Sequence, residues 1–322
     1  MLYAMRLLLV LLLSTACVAP PKVGTGPVEG LESEVPASQD PVMVEMEGPP
    51  TELRGIWITR WSYHSADEIV EILDKVADAG FNTVFLQVRG VFDAYYESRY
   101  EPWAARLSGT LGRHPGWDPL KVAIEAAKSR DLKIHAYINA ATLWSGLRWP
   151  GQTDPLHALR VHPDWRVVRD SGHPMELSEG YVFASPGVPE VRQRLANVAS
   201  DIADRYEVDG IHLDYIRFPG LKFASGEKWD QEQERAEWRE EQVTEMIRGV
   251  SDVIDVPLSA AVWGINDNQW GWSGVSEGAA DFGQNSREIM AQGVLDASIP
   301  MIYWPVADVP GERLDFRTLV QY

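Results

Sequence analysis

Residues 208–219 read Val-Asp-Gly-Ile-His-Leu-Asp-Tyr-Ile-Arg-Phe-Pro and contain the clearest strand signal of the chain. Ile211 and Leu213 alternate with His212 and Asp214, so apolar and polar side chains fall on opposite faces of a strand. Helices cover both faces of an open parallel sheet, which therefore needs apolar strands throughout. In a closed barrel one face points inward and polar groups gather at the C-terminal mouth. This stretch therefore favours a barrel.

On both sides of this stretch, short apolar runs alternate with longer amphipathic runs. This alternation predicts a parallel sheet with helices packed outside it. Ser65 is placed as an N-cap and Gly80 as a helix stop, and Pro119 suits an early helical position. The predicted strands are Gly55–Thr59, Thr83–Arg89, Lys133–Asn139, Val208–Asp214, Pro257–Trp263 and Ala297–Tyr303. The predicted helices are Ser65–Ala79, Pro119–Arg130, Pro189–Arg205, Asp230–Ile254 and Ser286–Gln292.

Other strands repeat the two-faced pattern. In the predicted strand at 83–89, one face carries Val84, Leu86 and Val88, and the other face ends at Arg89. The predicted strand at 133–139 has the same alternation of an apolar face and a more polar face. We predict an α/β fold, a parallel (β/α) TIM-type barrel. An eight-stranded barrel needs two more strands, and only 19 residues follow Tyr303. We therefore expect a barrel truncated after the sixth strand, either because the chain is a fragment or because the barrel is unusual or completed by a partner.

Asp214 is the leading catalytic candidate because it ends a predicted barrel strand, where barrel enzymes carry their chemistry. A carboxylate there can act as nucleophile, base or acid. The alternative is a structural Asp that pairs with Arg217. His212 is expected to orient Asp214. Glycoside hydrolysis requires a second carboxylate. Asp267, after the fifth strand, is the first choice for it, followed by Asp93 and then by Glu179, Glu227 and Asp230.

Candidate substrate contacts come from the same strand ends and the loops that follow them. For the polar ones the alternative is interior hydrogen bonding, and for the aromatic ones it is core packing. Tryptophans in predicted loops, at 144, 149, 270 and 272, suggest a binding cleft. The candidates are Gln87, Arg89, Asp93, Tyr95, Asn139, His212, Tyr215, Arg217, Trp263, Tyr303 and Trp304.

No cofactor is expected. His and Cys residues do not occur at metal-ligand spacing near Asp214, so no metal site is predicted. The net charge of −18 argues against a nucleic-acid partner. The single cysteine rules out an intramolecular disulfide within the chain.

The N-terminus resembles a bacterial lipoprotein signal. Arg6 precedes an apolar run, and the small residues 14–16 lead to Cys17, the predicted lipidation site. The alternative is an ordinary cleaved signal with an incidental cysteine. Residues 18–51 are rich in Pro, Gly and Glu and predict a flexible tether, so the barrel domain is placed at 52–322. We expect secretion and a lipid anchor, with Val18 favouring the outer membrane facing the periplasm.

Several motifs resemble one known family in order and content. The resemblance is to the glycosyl hydrolase-like 10 family, also called the domain-of-unknown-function 187 group, which includes division-associated lipoproteins that cleave peptidoglycan glycan strands. It runs from about residue 52 to the end of the chain. The motifs are Arg-Gly-Ile-Trp at 54–57, the 81–89 strand, Asp-Ala-Tyr-Tyr at 93–96, Pro-Trp at 102–103, Leu-Ser-Gly-Thr at 107–110, Pro-Gly-Trp-Asp-Pro-Leu at 115–120, His-Ala-Tyr-Ile-Asn at 135–139, the 209–219 stretch and Pro-Met-Ile-Tyr-Trp at 300–304.

The resemblance implies a TIM-type barrel and a glycoside hydrolase that acts on a bacterial cell-wall glycan, most of all peptidoglycan, with Asp214 as an active-site carboxylate. The partner is then a polysaccharide. Two rival functions stay open: a glycan-binding lipoprotein without catalysis, and a metal-dependent deacetylase on the same polymer.

Overall fold

Six strands form one sheet in which every neighbouring pair is parallel. The computed structural model describes residues 52–169, 171–220, 234–306 and 314–322. The strands are β1 Gly55–Ile58, β2 Thr83–Arg89, β3 Lys133–Asn139, β4 Thr142–Ser145, β5 Tyr181–Phe183, β6 Gly210–Asp214, β7 Leu258–Trp263 and β8 Ala297–Met301. The sheet order is β1-β2-β3-β6-β7-β8, and β4 and β5 pair with each other outside it.

Helices connect the strands, and the buried faces of the longer ones join the core on one side of the sheet. They are α1 Ala66–Asp78, α2 Ala105–Ser108, α3 Pro119–Lys128, α4 Ala158–Val161, α5 Pro189–Arg205, α6 Arg235–Ser251, α7 Gly278–Phe282, α8 Ser286–Ala291 and α9 Phe316–Val320. None of the helices in the described ranges is long and apolar enough to cross a membrane.

The predicted strands and long helices are confirmed: β2, β3 and α5 have the predicted bounds, and the bounds of the others differ by one to a few residues. The Ser65 side chain accepts a hydrogen bond from the Glu68 amide and starts α1, and Gly80 follows its end with a φ of 79°. Asp118 caps α3, whose first residue is Pro119. The predicted start of α6 at Asp230 lies outside the described residues.

The two faces of the sheet differ as the sequence predicted. Val84, Leu86 and Val88 belong to the large core that also holds Ile69 and Leu73 of α1. The opposite face carries a smaller cluster, in which Phe85, Tyr137 and Ile299 pack with Leu53 and Trp57. One face thus meets the helices, and the other is the barrel interior. The six strands confirm the predicted parallel (β/α) architecture of a TIM-type barrel, with β1 and β8 at the two edges of the described sheet.

A small lobe between β3 and α5 was not predicted. The antiparallel strands β4 and β5 lie in it, and it has its own buried cluster formed by Ala141, Val167, Met175, Val182 and Phe183. Tyr215, from the loop after β6, packs against this cluster. The lobe therefore adjoins the C-terminal end of β6, where the predicted site lies.

Candidate active site

Asp214 ends β6, and its side chain is held from both sides. The Tyr137 hydroxyl donates to Oδ2 over 2.7 Å, and the Tyr215 amide donates to Oδ1 over 2.6 Å. Arg217 Nη1 lies 3.7 Å from Oδ1. The side chain keeps 15% of its surface exposed, so a substrate can reach it. A carboxylate that accepts from two donors and faces a guanidinium is set in one orientation.

The backbone at Tyr215 is strained in a way that shapes this contact. Its φ is 50°, in the left-handed region that residues other than glycine seldom adopt. Such strain concentrates at functional sites, where the surroundings hold it. The Tyr215 ring is fixed by Tyr181 and Phe183 of the lobe, with ring centroids at 5.6 and 6.0 Å. The lobe thus supports the turn that aims the amide at Asp214.

The tyrosines around Asp214 stay protonated. Burial, and then the Asp214 carboxylate, raises the pKa of Tyr137 well above its usual value and also raises the pKa of Tyr215. Desolvation followed by Asp214 raises the pKa of Tyr303 as well, although 67% of that residue is exposed. Because a neutral phenol can donate, Tyr137 remains a hydrogen-bond donor to Asp214 at any physiological pH.

Arg217 lies in an aromatic enclosure. Its guanidinium carbon is 4.7 Å from the ring centre of Tyr215, 5.5 Å from Trp263 and 5.8 Å from Phe282. Nη1 is buried and has no hydrogen-bond partner among the described residues. Its positive charge faces Asp214 from a largely apolar setting, where charges interact more strongly than in water.

His212 is fully buried and neutral. Trp57 Nε1 donates to His212 Nε2 over 3.0 Å, and His212 Nδ1 lies 2.9 Å from Ser259 Oγ. Because an indole only donates, Nε2 must be the unprotonated nitrogen and Nδ1 carries the proton. Burial, and then His135, lowers the pKa of His212 to about 3. The centroids of the His212 and Tyr137 rings are 5.6 Å apart. His212 therefore contacts Tyr137, the residue that donates to Asp214.

Three of the polar candidates for substrate contacts, Gln87, Asn139 and Arg89, form interior hydrogen bonds. Interior hydrogen bonding was the alternative to substrate binding for these residues. Gln87 Nε2 donates to Asn139 Oδ1 over 3.0 Å. Arg89 is fully buried, and its guanidinium forms an ion pair with Glu101 at 2.7 Å and donates to the Asn139 and Ala140 carbonyls. Their side chains connect β2, β3 and the loop that follows β2.

Asp93 and Tyr95 border a cavity beside the site. Asp93 Oδ1 accepts from the Val91 amide over 2.9 Å, and burial, followed by Asp93, raises the pKa of Tyr95. Both residues line a cavity of about 440 Å³ together with Arg60 and Trp61. Tyr96, the next residue, is buried in the core.

Asp267, the first choice for the second carboxylate, is held by residues of the C-terminal part. Arg287 Nη1 lies 3.0 Å from Oδ2, and the Tyr322 hydroxyl donates to Oδ1. Glu179 forms an ion pair with Arg169. Glu227 and Asp230 lie outside the described residues. The identity of the second carboxylate therefore stays a prediction.

The predicted aromatic residues divide into packed and exposed ones. Trp263 stacks near Phe282, and its Nε1 donates to the Ser276 carbonyl over 2.8 Å. Trp304 packs in the same cluster as Trp270 and Trp272, whose rings are stacked at 4.5 Å. Tyr303 is mostly exposed, and its role in stacking on a sugar stays a prediction. Within the described ranges no group of three or more His, Cys, Asp or Glu side chains is placed to hold a metal ion.

Sequence reasoning did not select three residues that the structure brings to the site: Tyr137, Arg60 and Tyr181. Tyr137 lies on the polar face of β3, two residues before Asn139, and its face was predicted. Arg60 follows β1, and position at the C-terminal end of a strand is the signal that could have found it. Tyr181 comes from the unpredicted lobe, for which the sequence held no signal.

The fold and the site define a parallel (β/α) barrel protein with a carboxylate at the C-terminal end of a strand, beside aromatic and basic side chains, and glycoside hydrolases of the barrel type use such a position. The sequence profile of the glycosyl hydrolase-like 10 family matches residues 52–319. The chain belongs to the glycosyl hydrolase-like 10 family.

Two relatives are similar along most of the chain. Glycosyl hydrolase YngK of Bacillus subtilis is 26% identical over 288 residues, which cover 79% of this chain and 54% of YngK. Glycosyl hydrolase DigH of Escherichia coli K12 is 26% identical over an alignment of 347 positions, which covers 94% of this chain and 75% of DigH. The chain thus spans about half of YngK and three quarters of DigH.

A solved structure shares the fold. The glycoside hydrolase domain of PgaB (BpsB) from Bordetella bronchiseptica superposes with a TM-score of 0.50 at 13% identity. The superposition covers 78% of this chain and 74% of that domain. At this identity the likeness concerns the fold alone.

Proposed function

We propose that this protein is a glycoside hydrolase that cleaves glycosidic bonds of a bacterial cell-wall glycan, with Asp214 as an active-site carboxylate. The observation that carries the proposal is the setting of Asp214. It is reachable from solvent, accepts from Tyr137 and the Tyr215 amide, and faces Arg217. Membership of the family and the names of the relatives support glycan hydrolysis in general.

Both hydrogen bonds suit an ionised Asp214, because both partners donate. An oriented carboxylate at this position can attack or stabilise the anomeric carbon, or activate water beside it. A second carboxyl group must then protonate the leaving oxygen. A separation of roughly 5 to 5.5 Å between the two groups implies retention of configuration, and roughly 6.5 to 9.5 Å implies inversion. Asp267, Asp93 and Glu179 are the candidates within the described residues.

We propose peptidoglycan strands as the substrate and the cell envelope as the location. Support comes from the signal-like N-terminus that ends at Cys17, which would tether the domain close to the cell wall. The tether at 18–51 gives the domain reach along the polymer. Cys17 and the tether lie outside the described residues, so this part of the proposal depends on the sequence.

The test is release of new reducing ends from purified peptidoglycan, both intact and stripped of its stem peptides. The wild-type protein should release them, and Asp214→Asn should not, while keeping the same melting temperature within a few degrees. Asp252→Asn is a matched control, because Asp252 is exposed at the end of α6. Co-sedimentation with the polymer but no release would favour the alternative of a glycan-binding protein without catalysis.

A further inference from the structure

A cavity of about 440 Å³ lies beside the Asp214 site, at the C-terminal ends of β1 and β2. Its wall includes Arg60, Trp61, Asp93, Tyr95, Arg106 and Trp144. Trp61 is 57% exposed, so its ring is available as a platform. The volume lies within the size range of small-ligand pockets.

Arg60 is a buried cation without an anion. Only 3% of its surface is exposed, and the hydrogen bond of its guanidinium runs from Nη2 to the Tyr181 hydroxyl at 3.0 Å. Among the described residues no carboxylate lies within 4 Å of it, whereas the equally buried Arg89 is paired with Glu101. A buried charge without a partner is costly, and such a charge at a cavity wall suits a ligand of opposite sign.

Arg106 adds a second guanidinium to the same wall. Its Nε and Nη2 donate to the backbone carbonyls of Arg60 and Trp61, and the guanidinium carbons of both arginines lie 4.8 Å from the Trp61 ring centre. No carboxylate of the described residues lies within 4 Å of Arg106 either. Asp93 is the acidic group of the wall, so two positive charges meet one negative charge. The chain as a whole has a net charge of −18, so the charge of this cavity wall is opposite in sign to that of the chain.

The cavity is next to Asp214. Tyr181, which accepts from Arg60, packs its ring against Tyr215, the residue whose amide holds Asp214. The Arg60 charge also lowers the pKa of Tyr137 and Tyr215 against the larger upward effect of burial. A sugar bound at Asp214 would therefore have its neighbour along the chain close to Arg60.

We propose that this cavity is a subsite for a sugar that carries a carboxylate, with Arg60 and Arg106 binding the carboxylate and Trp61 stacking on the sugar ring. Guanidinium groups bind carboxylates through paired hydrogen bonds, and a tryptophan ring suits the apolar face of a sugar. This inference rests on the proposed function and names the substrate class at the same site. In peptidoglycan the lactyl group of a muramic acid residue provides such a carboxylate where the stem peptide is absent, because the peptide is attached to that group through an amide bond.

The first experiment changes the ligand and leaves the protein intact. The probes are oligosaccharides of alternating N-acetylglucosamine and N-acetylmuramic acid, and the same molecules with the lactyl carboxylates reduced to alcohols. Calorimetric binding to full-length Asp214→Asn, which prevents turnover, should show a Kd at least tenfold lower for the carboxylated form. Wild-type reducing-end release is measured on both forms.

The second experiment moves or removes the guanidinium. Arg60→Gln should lose most of the preference for the carboxylated form, because Arg106 alone then remains to bind the carboxylate. Gly90→Ala should do the same with the charge retained, because an added Cβ would lie 2.5 Å from Arg60 Nη1 and 2.7 Å from its Cζ. Arg160→Gln is the control, since Arg160 is exposed on α4 and does not line the cavity.

The outcomes separate the subsite from the catalysis. Equal affinity of the two forms, or no binding of either, overturns the subsite whether or not hydrolysis occurs. A preference that is undiminished in Arg60→Gln overturns the assignment to Arg60. Preferential binding of the carboxylated form without hydrolysis supports the subsite and removes the proposed function. If Arg60→Gln does not fold, the comparison of the two ligands still decides.

Discussion

His212 and Asp214 are two residues apart on one face of β6, and their surroundings are opposite. His212 is enclosed by Trp57, Ser259 and aromatic rings, which keep it neutral. Asp214, nearer the mouth, meets donors and a guanidinium. A distance of two residues along a strand thus separates a structural group in the barrel interior from a group that can meet substrate.

Removing the Tyr137 hydroxyl should slow the reaction without unfolding the protein. Tyr137→Phe keeps the ring in its cluster and deletes the donor to Asp214. Hydrogen bonds to charged groups contribute about 1.5–3 kcal/mol, so we expect kcat to fall roughly ten- to a hundredfold. Reducing-end release measures the effect.

Tyr206→Phe is the matched control, because the Tyr206 hydroxyl also donates to a carboxylate, Asp118 at the start of α3, over 2.6 Å. It should leave kcat unchanged. An unchanged rate in Tyr137→Phe would argue against Asp214 as the reacting carboxylate.

His212 should make the fold sensitive to acid. Its pKa is about 3 in the folded protein and about 6.5 in the unfolded chain, so the unfolded state binds the extra proton first. Stability is therefore fully present above pH 6.5 and is lost as the pH falls towards 3, by up to about 1.4 kcal/mol per pH unit. Urea titrations from pH 7 to pH 4 measure this loss.

The comparison variant is His212→Asn, which lacks the titrating group and should lose less stability over the same range. Carboxylates titrate in both proteins, so only the difference between the two curves reports His212. Parallel curves would count against a buried, neutral His212.

At the scale of elements, the sheet depends on close approach between neighbouring strands. A Cβ added to Gly210 in β6 would lie 2.4 Å from His135 Nδ1 in β3 and 2.9 Å from the Pro257 carbonyl before β7. Only glycine leaves room for the buried imidazole on one side and backbone on the other. This contact joins three adjacent strands at the end of the sheet opposite Asp214.

Gly210→Ala should therefore destabilise the sheet, by about 1–3 kcal/mol as for other overpacked sites. Gly249→Ala is the control within the same chain, because Gly249 lies in α6 with nothing within 4 Å of an added Cβ. It should stabilise the protein by about 0.5–1 kcal/mol through helix propensity. Thermal and urea unfolding of the pair test both signs, and equal shifts would contradict this account of β6.

At the scale of the molecule, the chain combines a barrel-type domain with an N-terminal segment read as a lipid anchor. The net charge of −18 disfavours electrostatic attraction of the chain to anionic membranes, so we propose that membrane attachment depends on the predicted anchor. The candidate site lies at the C-terminal end of the sheet, where Asp214 ends β6.

Cys17→Ser should move the protein from the membrane fraction to the soluble fraction of the envelope, because stable anchoring requires the acyl chains. Fractionation with immunodetection measures the shift, and metabolic labelling with a fatty acid should be lost in parallel. Asp214→Asn should fractionate like the wild type. Persistence of Cys17→Ser in the membrane would disprove the lipid anchor.

The amino-acid sequence by itself determined the parallel α/β architecture, because hydrophobic periodicity, caps and glycine stops are local properties of the chain. It also placed Asp214 at a strand end and predicted which face of β2, β3 and β6 meets the helices. Tertiary structure decided the partners. The register of β3 with β6 brings Tyr137 to Asp214, burial pairs Arg89 with Glu101, and the inserted lobe supplies Tyr181 to Arg60. These contacts join residues 12 to 121 positions apart, and strand register and packing set such pairings, which a local pattern does not encode.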